Sequence, residues 1–336
     1  GGWLVVSVNE GTSSNNALLV KGPNEPKLRW LITNFVASFD LIGGIGNTLW
    51  FKTDHQAPKG KIMSITIGEA TTTWKDVIPE QKNILRGADI VGGKITATWL
   101  EDASTKATVH SLDGKELYAV QMPGLGTAGG FGGHNDDTTV YWSYSSYNYP
   151  PSTFTLDLDS GKTNLFSKTK FPVDLSEMVV QRKFVTSTDG KNVPIFIVSH
   201  EDTKLDGTNP VLQYGYGGFD ISMLPRFSAS RAVWMKMGGV YAVACIRGGS
   251  EYGREWHEGG MLANKQQVFD DFIACSEWLI ENKWTNASKL SIQGGSNGGL
   301  LVGACMTQRP DLFGACLPAV GVMDMLRFPL FTVGWA

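Results

Sequence analysis

The pattern of apolar and polar positions changes character about halfway along the chain. Up to about residue 170, short alternating apolar stretches are separated by Gly, Asp, Asn and Pro, with no helical stripe. That is an all-β signature. Four strand–turn units share one shape: 17–20 before Lys21-Gly22-Pro23, 62–67 before Gly68-Glu69, 109–112 before Asp113-Gly114, and 154–158 before Asp159-Ser160-Gly161. Their last apolar residues, Val20, Ile67, Leu112 and Leu158, stand 47, 45 and 46 residues apart. A β repeat of that length suits one four-stranded propeller blade per unit.

From residue 178 onward, strand and helix patterns alternate. Strands are expected at 178–186 and 193–199, around the turn Thr188-Asp189-Gly190, and at 211–214, 240–246, 289–293 and 315–320. A helix after Pro225 should stop at Gly238-Gly239, glycine being a common helix terminator. Between 264 and 283, Val268, Phe269, Phe272, Ile273, Cys275, Leu279 and Ile280 fall on one stripe of an amphipathic helix. A third helix, 300–308, ends at Arg309-Pro310. This alternation predicts an α/β layer built on a mostly parallel sheet.

Composition narrows the class. Apolar residues make up 42% of the 336 and charged residues 18%, so a buried core is expected and a disordered chain is not. Lys and Arg number 29 against 32 Asp and Glu, with no basic cluster, which gives no electrostatic case for nucleic acid. No apolar run approaches the ~18 residues of a membrane helix. Glycine, at 40 residues, exceeds the usual ~7%, which signals many tight turns. Cys245, Cys275, Cys305 and Cys316 form no C-x-x-C pair and sit among apolar neighbours. They read as buried free thiols of a reducing compartment, with no metal or cofactor expected. The sequon Asn286-Ala287-Ser288 reads as incidental. The chain opens at Gly1-Gly2-Trp3 in the manner of a strand interior, so its first residue is not expected to be the natural terminus.

The strongest chemical signal is the run from Leu290 to Leu301. Gly294-Gly295-Ser296-Asn297-Gly298 fits G-x-S-x-G between a strand and a helix, the pattern of a nucleophile elbow. Glycines let the turn hold Ser296 in strained geometry between strand and helix. Ser296 and the Asn297 N–H then sit at a helix N-terminus, where a developing oxyanion is stabilised. No Gly-Lys-[Ser/Thr] follows, so a P-loop is excluded. The five histidines, His55, His110, His134, His200 and His257, all precede Ser296, whereas α/β-hydrolases place acid and base after the serine. His257 with Asp270 or Asp271 would be an inverted-order substitute, disfavoured by its place near the helix before the elbow strand. The expectation is that the acid and base lie beyond this chain.

Further runs carry a more specific likeness: LQYGYGGF at 212–219, IRGGSEYGREWH at 246–257, LANKQ at 262–266, FDD at 269–271, GGSNGGLL at 294–301, QRPDLFG at 308–314 and VGVMDML at 320–326. Together they resemble the prolyl oligopeptidase family, cytosolic proline-specific serine peptidases. The likeness is strong over 178–336 and weaker in the β half. It implies an α/β-hydrolase domain with a doubly wound, mostly parallel sheet, preceded by part of a β-propeller. Residues 1–170 would be the later blades and 171–336 the first part of the peptidase domain, cut before its Asp and His.

The resemblance also implies roles. Ser296 would be the nucleophile, the Asn297 N–H and the Tyr216 hydroxyl the oxyanion hole, and Phe219 part of the pocket for the substrate proline ring. The family's ring-stacking tryptophan should follow Ala336 directly, with Trp335 at a variable position. The expected activity is cleavage of short peptides after proline through an acyl-enzyme, in the cytoplasm, with no cofactor, nucleic acid or membrane involved. Two alternatives stay open: a peptide macrocyclase or transpeptidase of the same family, and a non-catalytic propeller fragment that binds a partner. The chain reads as an internal piece of a protein about twice as long, inactive alone, with the remaining segments of that protein as a further partner.

Overall fold

A computed structural model describes residues 2–11, 13–68 and 73–331. Gly1, Glu69, Trp335 and Ala336, all named above, lie outside the described residues. The first half forms four antiparallel sheets in succession. Sheet one holds β1 (Leu4–Asn9), β2 (Asn16–Lys21) and β3 (Arg29–Ile32). Sheet two holds β4 (Phe39–Ile45), β5 (Thr48–Thr53), β6 (Lys61–Thr66) and β7 (Trp74–Ile78). Sheet three holds β8 (Ile84–Val91), β9 (Lys94–Glu101), β10 (Ser104–Ser111) and β11 (Glu116–Ala119). Sheet four holds β12 (Thr127–Gly129), β13 (Thr139–Ser146), β14 (Tyr149–Asp157) and β15 (Thr163–Lys168).

The repeat read from the sequence has a structural basis. Its units end the third strand of each four-stranded sheet, β6, β10 and β14, and β2 likewise stands next to the last strand of the three-stranded first sheet. In the third and fourth sheets the turn after that strand docks on the outer strand of the preceding sheet. Gly114, at φ +93°, packs against the Val77 carbonyl of β7 so closely that a Cβ would collide with it. Gly161, at φ +70°, packs on the Tyr118 ring of β11, and the Tyr118 hydroxyl donates to the Leu158 carbonyl at 2.8 Å. The periodic residue is therefore the one that seals each sheet to its neighbour. Separate apolar cores fill these seams, one around Phe51 and Ile65, one around Ile62 and Trp99, and one around Trp142 and Leu156.

The second half builds one six-stranded sheet, in spatial order β16-β17-β19-β18-β20-β21. Its strands are β16 (Met178–Thr186), β17 (Asn192–His200), β18 (Val211–Tyr214), β19 (Val240–Ala244), β20 (Leu290–Gly295) and β21 (Ala315–Ala319). β16 and β17 form an antiparallel hairpin, β17 pairs antiparallel with β19, and the remaining pairs are parallel. Among the described residues the α-helices between strands are α1 (Ala229–Lys236), α2 (Arg254–Glu258), α3 (Gln266–Glu281) and α4 (Asn297–Gln308). β17 and β19 are buried on both faces and read as nearly continuous apolar runs, whereas β20 alternates. Ile195 and Ile197 join the core under α3 and α4, while Phe196 and Val198 join the opposite core under α1.

The predicted elements lie within a few residues of the observed ones. α4 begins three residues earlier than the apolar stripe indicated, because its first turn is Asn297-Gly298-Gly299, without large apolar side chains. α2, only five residues long, was not anticipated. Of the four thiols, Cys245, Cys275 and Cys305 are buried and Cys316 is half-buried, all free. Burial raises each of their pKa values. Asn286 is occupied as a cap: its Nδ2 donates to Gly207 O at 2.7 Å and its Oδ1 accepts from the Ser288 backbone N–H at 3.1 Å. Among the described residues no helix is long and apolar enough to cross a membrane.

The antiparallel sheets touch the mixed sheet through polar contacts and one shared core. Arg182 of β16 donates to the Glu101 and Asp102 carbonyls at 3.1 and 3.0 Å, and Tyr252 donates to Asp102 Oδ1 at 2.9 Å. Ala103 and Tyr147 are buried in the core that also holds Phe196 and Tyr241. Gly114→Ala should destabilise the protein more than Gly190→Ala. Both sit at positive φ, but a Cβ at Gly190 meets open space. Each carries a strain of about 1–2 kcal/mol, and Gly114 adds the collision with Val77. Urea unfolding followed by circular dichroism would test this, and equal losses would contradict the seam described here.

Candidate active site

Parallel pairing brings three loops together at one end of the sheet. Tyr214 of β18 is in register with Gln293 of β20, and Gly295 of β20 with Ala319 of β21. The segments leaving these strands, 215–219, 296–299 and 320–321, are therefore neighbours.

Ser296 occupies the turn between β20 and α4 at φ 56°, ψ −117°, a sparsely populated region that costs a non-glycine residue about 1–3 kcal/mol. Its surroundings hold it there. Its N–H donates to the Ala319 carbonyl at 2.9 Å, and its carbonyl accepts from the N–H groups of Gly299 at 2.9 Å and Leu300 at 3.2 Å. A Cβ at Gly294 would strike the Gly298 carbonyl, one at Gly298 would lie 2.7 Å from the Gly215 carbonyl, and one at Gly299 2.6 Å from Gly321 Cα. Gly295 has its nearest such neighbour 3.9 Å away, so here the variable position of G-x-S-x-G needs no glycine. Ser296 is exposed while Asn297, Gly298 and Gly299 are buried. As the first residues of α4, Asn297 and Gly298 carry N–H groups with no intrahelical acceptor.

Tyr216 and Phe219 lie on the segment after β18. Tyr216 is half-buried, and its carbonyl accepts from Asn297 Nδ2 at 2.6 Å, which ties the Tyr216 backbone to the start of α4. The Lys265 ammonium donates to the Gly217 carbonyl at 2.7 Å and to Asn297 Oδ1 at 3.3 Å. Burial lowers the Lys265 pKa to about 8. Phe219 and Asp220 both adopt positive φ, 55° and 59°, and Phe219 stands 60% exposed. The Asp220 N–H donates to the Gly248 carbonyl at 3.1 Å, and Ser250 Oγ donates to the Asp220 carbonyl at 2.7 Å. The Tyr216 backbone is thus tied to Asn297, the residue after Ser296, and Phe219 follows on the same segment.

A second layer of charge lies behind this segment. Arg247 is buried between Asp271 of α3 and Asp189 of the β16–β17 turn, and its Nε lies 2.9 Å from Asp271 Oδ2. Hydrogen bonding and charge pairing with both carboxylates raise the Arg247 pKa against its desolvation. Glu251 is also fully enclosed. Its Oε1 accepts from the Met223 N–H at 2.7 Å and its Oε2 has no partner. Burial pushes the Glu251 carboxyl up to about 7, opposed only in part by the Met223 hydrogen bond.

The inverted-order pair is not assembled. His257 Nδ1 lies 2.8 Å from the Gly248 carbonyl, the acceptor that the Asp220 N–H also uses; Asp270 accepts from Gln266 Nε2 at 2.9 Å, and Asp271 is bound to Arg247 and to the Ser187 hydroxyl at 2.6 Å. Among the described residues no group of His, Cys, Asp and Glu is placed to hold a metal ion. Lys265 and Glu251 escaped residue-by-residue reading, because a lone Lys or Glu in a glycine-rich stretch has no spacing signal. Only the runs LANKQ and IRGGSEYGREWH drew attention to their neighbourhoods.

Comparison with known proteins agrees with this layout. The model of the prolyl oligopeptidase N-terminal β-propeller domain matches residues 1–169, and that of the prolyl oligopeptidase family matches 225–335. The chain belongs to the prolyl oligopeptidase family. It is 41% identical to a prolyl endopeptidase of Elizabethkingia miricola over 99% of this chain and 48% of that protein. It is 32% identical to a dual-function macrocyclase-peptidase of Galerina marginata over 100% of this chain and 48% of that protein. It therefore spans about half the length of these curated relatives. Among solved structures, one from a study of two prolyl endopeptidases superposes with a TM-score of 0.89 at 39% identity, covering 99% of this chain and 49% of that one. Prolyl oligopeptidase B from Galerina marginata, bound to a 35mer hydrolysis and macrocyclization substrate, superposes with a TM-score of 0.90 at 31% identity, covering 100% of this chain and 49% of that one.

Glu251 makes stability depend on pH with a definite sign. Between its ordinary value of 4.5 and about 7, the folded protein holds a proton that the unfolded chain has lost. Unfolding free energy contributed by this group then falls as pH rises through that window and levels above it, with a limiting slope of ~1.4 kcal/mol per pH unit. Glu251→Gln, which mimics the neutral acid, should remove this component. Urea midpoints at pH 5 and pH 8 should show the variant gaining on the parent at the higher pH; parallel curves would contradict it.

Proposed function

We propose that this chain is the elbow-bearing part of a serine peptidase that cleaves short peptides after proline. The observation that carries the reading is Ser296, exposed and strained at the N-terminus of α4, with the Tyr216 segment bound to the next residue. The sheet order supports an α/β-hydrolase core, with 171–336 as its first part and 1–170 as later blades of a propeller. Ser296 Oγ attacks the carbonyl carbon of the scissile bond and passes its proton to a base, a histidine beyond this chain. The oxyanion that forms is held by the Asn297 N–H and the Tyr216 hydroxyl. These donors act best in the tetrahedral state, so they lower the barrier rather than tighten substrate binding. Phe219 offers its face to the rigid proline ring. The base returns that proton to the nitrogen of the breaking bond, the amine leaves, and water, deprotonated by the same base, then releases the acyl group from Ser296.

The relatives named above support the same substrate class, and the Galerina structure bound to a 35mer substrate supports a peptide as the ligand. The free thiols fit a cytoplasmic setting. The macrocyclase relative favours a second outcome at the same acyl-enzyme, in which the peptide's own amine replaces water.

In the full-length protein carrying these residues, Ser296→Ala should lower kcat on a peptide with one internal proline by at least about 10⁴-fold. Tyr216→Phe should lower kcat by ~10²–10³ with little change in KM, as loss of one oxyanion donor does. Retained turnover in Ser296→Ala would refute the reading. Product masses from a long peptide separate the outcomes: an added water marks hydrolysis, and loss of the departing segment without added water marks ring closure.

A further inference from the structure

We propose that Lys265 is a positioning residue that sets the oxyanion hole by clamping its two halves together; this rests on the reading of Tyr216 and Asn297 given above. The two donors come from separate elements, the hydroxyl from the segment after β18 and the N–H from the first residue of α4. Nothing in the sheet itself fixes that segment to the helix at the precision catalysis needs. The Lys265 ammonium reaches both, donating to the Gly217 carbonyl at 2.7 Å and to Asn297 Oδ1 at 3.3 Å. The Asn297 amide closes the clamp by donating from Nδ2 to the Tyr216 carbonyl at 2.6 Å. Two successive carbonyls, Tyr216 and Gly217, are therefore held from one side by one amide and one ammonium.

The glycines beside the clamp show how close this approach is. A Cβ at Gly218 would lie 2.6 Å from Asn297 Nδ2, and Gly217, at φ +69°, lies against Ile246 and Val268. Lys265 itself stands one residue before α3, held by its N–H donating to the Leu262 carbonyl at 3.2 Å. Its ammonium lies 5.9 Å from the centre of the Phe269 ring. No ion pair among the described residues includes Lys265, in contrast to Arg247 nearby. A half-buried ammonium paid for by no carboxylate is placed for what its donors hold, and here they hold the site.

The test uses the full-length protein and a peptide cut after proline. Lys265→Met keeps the apolar stem and removes the donors. It should lower kcat by between ~10- and ~100-fold, the range for hydrogen bonds to a charged group, with KM changed less than about threefold. In a Tyr216→Phe background the same substitution should cost less than about threefold further, because the clamp acts through Tyr216. A purely structural role would instead give the full loss in both backgrounds. Should Lys265→Met fail to fold, Lys265→Gln, one bond shorter, should show the same coupled loss. A folded variant with parental kcat, or independent losses in the double variant, overturns the proposal. If Ser296→Ala stays active, the reading beneath it fails first; if Ser296→Ala is inactive and Lys265→Met is not impaired, the clamp alone is wrong.

Discussion

The site depends on direct contact between backbones. At the end of the mixed sheet, the segments after β18, β19, β20 and β21 meet at points where backbone touches backbone. Gly298 lies against the Gly215 carbonyl, Gly299 against Gly321, and Gly248 against Gly217. Only glycine permits this approach, and its consequence is geometric. With the strands one hydrogen-bond spacing apart and the loops touching, a serine at the turn cannot relax to ordinary dihedrals without separating the layers. The strain at Ser296 is thus maintained by packing that extends well beyond it. Its exposure follows from the same turn, which lifts the side chain off a surface that its neighbours have closed.

Charge is handled differently in front of and behind these loops. Behind them, Arg247 is satisfied by two carboxylates, and it ties the β16–β17 turn to α3. That cluster is fully paired, which is the condition for burying a guanidinium without a large penalty. Nearer the loops, Glu251 and Lys265 are each desolvated without an opposite charge in an ion pair, and both bind backbone groups of the segment that carries Tyr216 and Phe219 or of its continuation. Backbone hydrogen bonds fix position without drawing the charge to one partner. The antiparallel sheets reach the same region: Arg86 of β8 lies 3.4 Å from Ser250, whose hydroxyl supports Asp220. A shift of the sheets against the α/β layer would therefore be felt at Phe219.

Much of this was legible in the sequence because it rests on periodicity or on glycine. The 46-residue spacing was visible because Ile67, Leu112 and Leu158 each directly follow a strand, in the apolar seam with the preceding sheet and just before a tight turn. The elbow was visible because its glycines are sterically required. The α3 stripe was visible because Val268, Phe272, Cys275 and Leu279 face one core. The start of α4 was hidden because its first turn packs backbone against backbone and leaves no apolar stripe. α2 was too short to show a period. Lys265 and Glu251 were hidden for a deeper reason. Their roles depend on which carbonyls and N–H groups lie across space from them, and pairing between β18, α3 and α4 is not written in local spacing.

The central claim is that the backbone contact between the Tyr216 segment and the Ser296 turn forms one oxyanion site. The most direct measurement is a crystal structure of the full-length protein after reaction with a proline-containing phosphonate. The account predicts a covalent bond to Ser296 Oγ, with the phosphoryl oxygen within about 3 Å of both the Asn297 N–H nitrogen and the Tyr216 hydroxyl. A bond to another residue, or a Ser296 adduct whose oxygen points away from Tyr216 and Asn297, would contradict it.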